Sequence, residues 1–205
     1  MNDRRRAATL PVGFFSRDVT TVARGLIGAL LETEFRGVRT VGRIVEVEAY
    51  LGAEDPAAHA YRFRRHAQNQ SLYLGPATWY IYLSYGMHWC ANLVAGTEGH
   101  GGAVLLRAIE PLEGFTAMKR RRNQKELSRL GAGPGRLCQA LGITRQRLDG
   151  HFMPESSARV LPGDTVGESE ILVTPRIGIT KAASWPLRFA LRGSAWVSGP
   201  RRARG

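Results

Sequence analysis

Apolar residues first recur at helical spacing: Val19, Val22, Ala23, Leu26, Ile27, Leu30 and Leu31. This spacing predicts a core helix to about Glu32, capped by Ser16 or Asp18. From Thr40 to Tyr50 the period changes to two. Val45, Val47 and Ala49 fall on one face of a strand, and Ile44, Glu46, Glu48 and Tyr50 on the other. Residues 51–70 read as irregular. Two further strand-like runs, Thr78–Leu83 and His88–Val94, flank a turn near Tyr85-Gly86, which predicts a hairpin. Ala103–Ile109 is another strand. Pro111 is read as opening a helix that runs into Lys119-Arg120-Arg121-Arg122. The glycine-rich turn from Gly131 to Arg136 leads into a short helix, Leu137 to Leu141, which Gly142 ends. Four β-like pieces follow, at 171–173, 176–179, 187–191 and 195–197. No internal repeat is present.

This order predicts an α+β fold. It is a single mixed domain over residues 11–198, with a mainly antiparallel curved sheet, peripheral helices and a protruding β-hairpin. Residues 1–10 read as a basic lead-in and 199–205 as a basic tail.

Charge changes the picture most. There are 29 Lys+Arg against 17 Asp+Glu, a net charge of +12. That balance favours an anionic partner, nucleic acid first. A hydrophobic fraction of 43% excludes a disordered chain. No apolar run is long enough to span a bilayer. The start, Met-Asn-Asp-Arg-Arg-Arg, precedes an apolar piece broken by Pro11 and Gly13, so no secretory signal is read and a cytoplasmic, nucleoid-associated location is expected. Cys90 and Cys138 lie among apolar residues and are expected to be buried, reduced thiols. Neither they nor the five scattered histidines have metal spacing, so no metal or cofactor is expected.

The residues that can do chemistry are few. Glu46 and Glu48 are two apart on a strand, with Tyr50 continuing their face and His59 following a loop. A carboxylate beside aromatic groups can activate water, and of two close acids one can ionise while the other is perturbed. Tyr73, Trp79, Tyr80, Tyr82, Tyr85 and Trp89 lie close together. Tyr80 is read as packing. Tyr85, at a hairpin tip in a basic protein, is read as a wedge between bases. The amides of the Gly131–Gly135 turn, with Arg136, suit a backbone phosphate, and a plain tight turn accounts for them equally well.

Taken in order, these pieces resemble one family, the alkyladenine DNA glycosylases, also called 3-methyladenine or methylpurine DNA glycosylases. The matching text is Gly42–Gly52 (GRIVEVEAYLG), then Glu54–His59 (EDPAAH) and Tyr80–Asn92 (YIYLSYGMHWCAN). Leu105–Gly114, Gly133–Ile143, Pro186–Phe189 and Arg192–Ser198 continue it, so the likeness covers nearly the whole chain.

The resemblance implies roles. Glu48 falls at the general base and Arg107 at an arginine near the catalytic water. Tyr50, His59 and Tyr82 fall at the walls around a flipped base. Asn92 falls where normal guanine is screened out, and Tyr85 at the intercalating residue. Met87, Gly133, Gly135 and Arg136 are expected against the DNA backbone.

One stretch departs from the family. Residues 66–73 read HAQNQSLY, where only Asn69 and an aromatic match the usual pattern, which bears on loop contacts and substrate range. The implied activity is monofunctional hydrolysis of a damaged purine from double-stranded DNA by a monomer without cofactor. A non-catalytic binder of damaged DNA, or an RNA-binding or RNA-modifying protein, would carry similar charge. A carboxylate among aromatics favours the enzyme.

Overall fold

In the computed structural model, which describes residues 8–199, one long strand organises everything else. This is β2 (Val38–Tyr50), 13 residues long. Its first half pairs with β1 (Leu30–Phe35) and its second half with β8 (Arg188–Leu191), while β5 (Ala103–Glu113) runs along its other edge. The hairpin β3 (Trp79–Ser84) and β4 (His88–Val94) extends the sheet beyond β5. β6 (Ala158–Leu161) pairs with β1, and β7 (Ile171–Thr174) with β8. The result is an eight-stranded antiparallel sheet in a mixed α+β domain, as the sequence predicts.

Helices pack on the sheet at its periphery. α1 (Val12–Phe15) leads into α2 (Val19–Leu26), capped by the Asp18 carboxylate, which accepts from the amides of Thr20 and Thr21. Val19, Val22, Ala23 and Leu26 are buried against β2, Val22 and Leu26 completely. Burial of each such side chain contributes about 1.5–3 kcal/mol. α3 (Phe115–Arg122) and α4 (Pro134–Leu141) pack together, and α4 covers β4 and β5 with Leu137, Cys138 and Leu141. α5 (Arg145–Leu148) lies against β3. Both cysteines are buried and unpaired. Among the described residues no helix is long and apolar enough to cross a membrane.

The structure corrects several expectations. The first helix ends at Leu26, not near Glu32, and Leu30 and Leu31 belong to β1. Gly28, at φ +91°, makes the break; a Cβ there would meet the Asp164 carbonyl oxygen at 2.4 Å. The two leucines fit helical spacing by coincidence, the usual ambiguity of a short apolar run. Pro111 does not open a helix. It lies inside β5 opposite Gly42, beside a register shift where the ladder needs no N–H, and α3 starts only after Gly114. Residues 176–179 and 195–197 are not strands, and β6, α1 and α5 are additional elements.

Strand β2 also departs from strict alternation. A bulge between Ile44 and Glu46 turns Ile44 into the same core as Val47 and Ala49, leaving Val45 buried outside it. Beyond the bulge the period of two holds, so Glu46, Glu48 and Tyr50 share the other face.

Candidate active site

The sheet brings chemistry-bearing residues together through register. Residues directly opposite in an antiparallel pair share a face. Tyr80 lies opposite Asn92, Asn92 opposite Leu105, and Leu105 opposite Glu48. Tyr80, Tyr82, Cys90, Asn92, Leu105 and Glu48 therefore project from one side of four adjacent strands. Arg107 reaches Glu48 on that side. Over this face opens a cavity of about 820 Å³ lined by Tyr50, His59, Tyr82, Asn92 and Arg107, with Tyr85 also on its wall.

The two glutamates are both buried and have different surroundings. Glu46 is saturated. Its Oε1 accepts from Arg107 Nε (2.9 Å), Arg188 Nε (2.7 Å) and Ser198 Oγ (2.9 Å), and its Oε2 accepts from the Ser198 amide (2.6 Å). Glu48 keeps capacity. Its Oε1 accepts from the Ile177 amide at 2.8 Å and faces Arg107 Nη1 at 3.2 Å. Its Oε2 accepts from the Tyr50 hydroxyl at 3.0 Å. A carboxylate has about four acceptor sites, so Oε2 can still take a proton from a water.

Burial raises the Glu48 pKa above the usual carboxylate range, and the Glu46 charge pushes the same way. Arg107, the Ile177 amide and the Tyr50 hydroxyl only partly offset this. Burial works against the charge of Arg107, but Glu48 and Glu46 outweigh it and hold its pKa up. Burial, then the Glu48 charge, pushes the Tyr50 hydroxyl far up, so it remains a neutral donor.

The aromatic walls are also held. The His59 and Tyr82 rings meet edge to face, centroids 4.6 Å apart, and Tyr80 stacks beside Tyr82 at 5.5 Å. His59 Nδ1 lies 2.6 Å from the Tyr80 hydroxyl. Burial, then His66 and Arg64, lowers the His59 pKa, which keeps the imidazole neutral near pH 7. At the edge of the cavity, the hairpin loop raises Tyr85, 84% exposed at φ +50°, into solvent.

A model of the family described as Methylpurine-DNA glycosylase (MPG) matches residues 13–195. The chain belongs to the methylpurine-DNA glycosylase family. Similar proteins carry the name "Putative 3-methyladenine DNA glycosylase". One from Methanoculleus marisnigri is 47% identical over 194 residues, covering 93% of this chain and 98% of its own. Others are from Koribacter versatilis, 44% identical over 95% of both chains, and Rhodopseudomonas palustris strain HaA2, 46% identical over 91% of this chain and 89% of its own. The chain is thus a DNA glycosylase, an enzyme of base-excision repair.

Of the glycosylase's expected site residues, Arg107, Tyr50, His59, Tyr82, Asn92 and Tyr85 line one cavity. Glu48 does not line it; it lies fully buried behind Tyr50 and Arg107, in contact with both. Met87, Gly133, Gly135 and Arg136 do not line it. Met87 is exposed beside the tip. The Gly133 amide donates to the Arg107 carbonyl at 3.0 Å, tying the glycine turn to β5. The first-turn amides of Gly135 and Arg136 remain without a helical acceptor. Gly135 lets α4 approach the hairpin, since a Cβ there would sit 2.8 Å from His88 Cβ.

Several contributors escaped the sequence reading. The Ile177 amide is one, in a segment read as a strand although Pro175 precedes it and Gly178 interrupts it. Tyr80 is buried as expected, yet its hydroxyl orients His59. Its place two residues before Tyr82, on the same face, was the available signal. Asn69 is fully buried within the divergent loop. It donates to the carbonyls of His59 (3.1 Å) and Arg64 (2.9 Å) and accepts from the His66 amide (2.9 Å), so it holds the chain that carries His59.

Proposed function

We propose that the glycosylase hydrolyses the N-glycosidic bond of alkylated or deaminated purines in double-stranded DNA. It acts as a monomer, after extruding the nucleotide, and leaves an abasic site. The observation that carries this reading is Glu48: a buried carboxylate with spare acceptor capacity, beside a cavity walled by aromatic rings.

A stacked base cannot reach such a cavity, so extrusion comes first, at a cost of a few kcal/mol. Tyr85 suits the vacated space, and a base among Tyr50, His59 and Tyr82 recovers about 1–3 kcal/mol per stacked contact. A purine alkylated to a cation favours these neutral, electron-rich rings, and it leaves readily because the bonding electrons neutralise it. As the C1′–N bond breaks, positive charge develops on the sugar. Glu48 offsets that charge and takes a proton from the water whose oxygen bonds to C1′. Arg107 and the Ile177 amide hold Glu48 in place. Strand cleavage would need an amine to form a Schiff base. None of the chain's lysines, Lys119, Lys125 and Lys181, lines the cavity, which supports a monofunctional enzyme.

The test is release of free base, in EDTA, from duplexes carrying methylated purines or hypoxanthine. Wild type is expected to release base and Glu48→Gln to be nearly inactive. Release by Glu48→Gln at the wild-type rate refutes the mechanism. Tight lesion binding without turnover by wild type points instead to a damage-binding protein.

A further inference from the structure

We propose that Arg176, with Asp55, is a positioning residue that fixes the Tyr50 ring and aims the Ile177 amide at Glu48. This rests on the reading of Glu48 as the base. Both side chains of the pair are fully buried. Arg176 Nη1 donates to Asp55 and to the Ala49 carbonyl (3.0 Å), and Nη2 donates to Asp55 Oδ1 (2.9 Å). Its guanidinium carbon lies 4.5 Å from the centre of the Tyr50 ring. Asp55 in turn accepts from the amides of Leu51 (3.2 Å) and Ala57 (3.0 Å). Arg176 therefore grips β2 between Glu48 and Tyr50, backs the ring of one wall, and fastens the loop that leads to His59. The next residue after it supplies the amide on Glu48.

Stability does not explain this arrangement. The attraction within a buried ion pair does little more than repay its desolvation. Among the described residues Arg176 Nε has no hydrogen-bond acceptor, and an orphaned buried donor is destabilising. What the pair supplies is geometry, since a planar fork fixes two parallel hydrogen bonds and a ring at once. A lysine keeps the charge and loses the fork.

The groups facing Glu48 are Glu46 and Tyr50 from β2, Arg107 from β5, Cys90 from β4, Arg188 opposite it on β8, and the Ile177 amide after β7. Loss of the amide alone removes one donor from the anion and leaves the others in place.

The experiment is single-turnover excision of 7-methylguanine from an oligonucleotide duplex as a function of pH. That base is already cationic and needs no proton to leave. For Arg176→Lys, the acidic limb is expected at higher pH. At its low end the rate, normalised to each enzyme's own plateau, falls to about one tenth of wild type, the size of one lost charge-assisted hydrogen bond. If Arg176→Lys does not fold, the double variant Asp55→Asn/Arg176→Gln, which removes both charges together, is expected to show the same displacement. Normalised profiles that superimpose on wild type, with only the melting temperature or the overall rate lowered, overturn the proposal. Glu48→Gln in the same assay separates the two readings. Full activity there defeats the base assignment, whereas an inactive Glu48→Gln beside an unshifted Arg176→Lys defeats the positioning role alone.

Discussion

Replacing Tyr85 by asparagine is expected to stabilise the protein and slow the enzyme. The side chain is 84% exposed, so its removal costs little packing. Its backbone sits at φ +50°, a left-handed conformation that costs a bulky residue on the order of 1–2 kcal/mol. Asparagine tolerates that region, so Tyr85→Asn recovers up to about 1 kcal/mol of folding free energy. On DNA the sign reverses. If Tyr85 fills the stack behind an extruded nucleotide, the variant loses about 1–3 kcal/mol of stacking, a five- to 150-fold slower single-turnover excision. The loss belongs to the duplex. A lesion in single-stranded DNA has little stack to refill, and its excision is expected to change by less than about threefold. Thermal denaturation and excision from matched duplex and single-stranded lesion oligonucleotides check both halves. A lower melting temperature refutes the strain argument. An equal loss on both substrates, or none on duplex, refutes the wedge.

Three further outcomes follow from the site and its supports. Because burial raises the Glu48 pKa and the base acts only when ionised, excision of a cationic lesion is expected to rise with pH along a limb displaced above the ordinary carboxylate range; a profile still flat below that range would contradict it. The same shift makes stability fall as pH rises between the unfolded and folded pKa values, since the folded chain holds the proton longer. Glu48→Gln is therefore expected to melt no lower than wild type at neutral pH, checked by paired melting curves at acidic and neutral pH. Gly135→Ala places a Cβ 2.8 Å from His88 Cβ, so it is expected to cost about 1–3 kcal/mol by urea denaturation and to reduce duplex binding as α4 and the hairpin move apart.

The candidate face of β2 was legible in the sequence because a period of two is local. Glu46, Glu48 and Tyr50 fall together whatever happens upstream. The Ile44 bulge was not legible, since it exists only in the pairing of β2 with β5, distant in sequence. Which glutamate keeps a spare acceptor was equally hidden. It depends on Arg188 and Ser198, about 150 residues beyond Glu46 in sequence and brought back by β8. The Ile177 amide carries no side-chain identity, so no motif announces it. Pro111 misled for a physical reason: proline suits both a first helical turn and a ladder position without a donor, and only the register of Gly42 decides between them.

Strand β2 carries the acid and is also the most enclosed element of the sheet, bonded to β5 on one edge and to β1 and β8 on the other. Its central amides can meet solvent deuterium only when the whole domain opens, whereas those of the 61–73 loop are released by local openings. Glu48 is therefore expected to be as persistent as the fold itself, while the loop is held chiefly by the hydrogen bonds of Asn69. Substitutions in that loop are thus expected to alter the surroundings of His59 while leaving Glu48 in place.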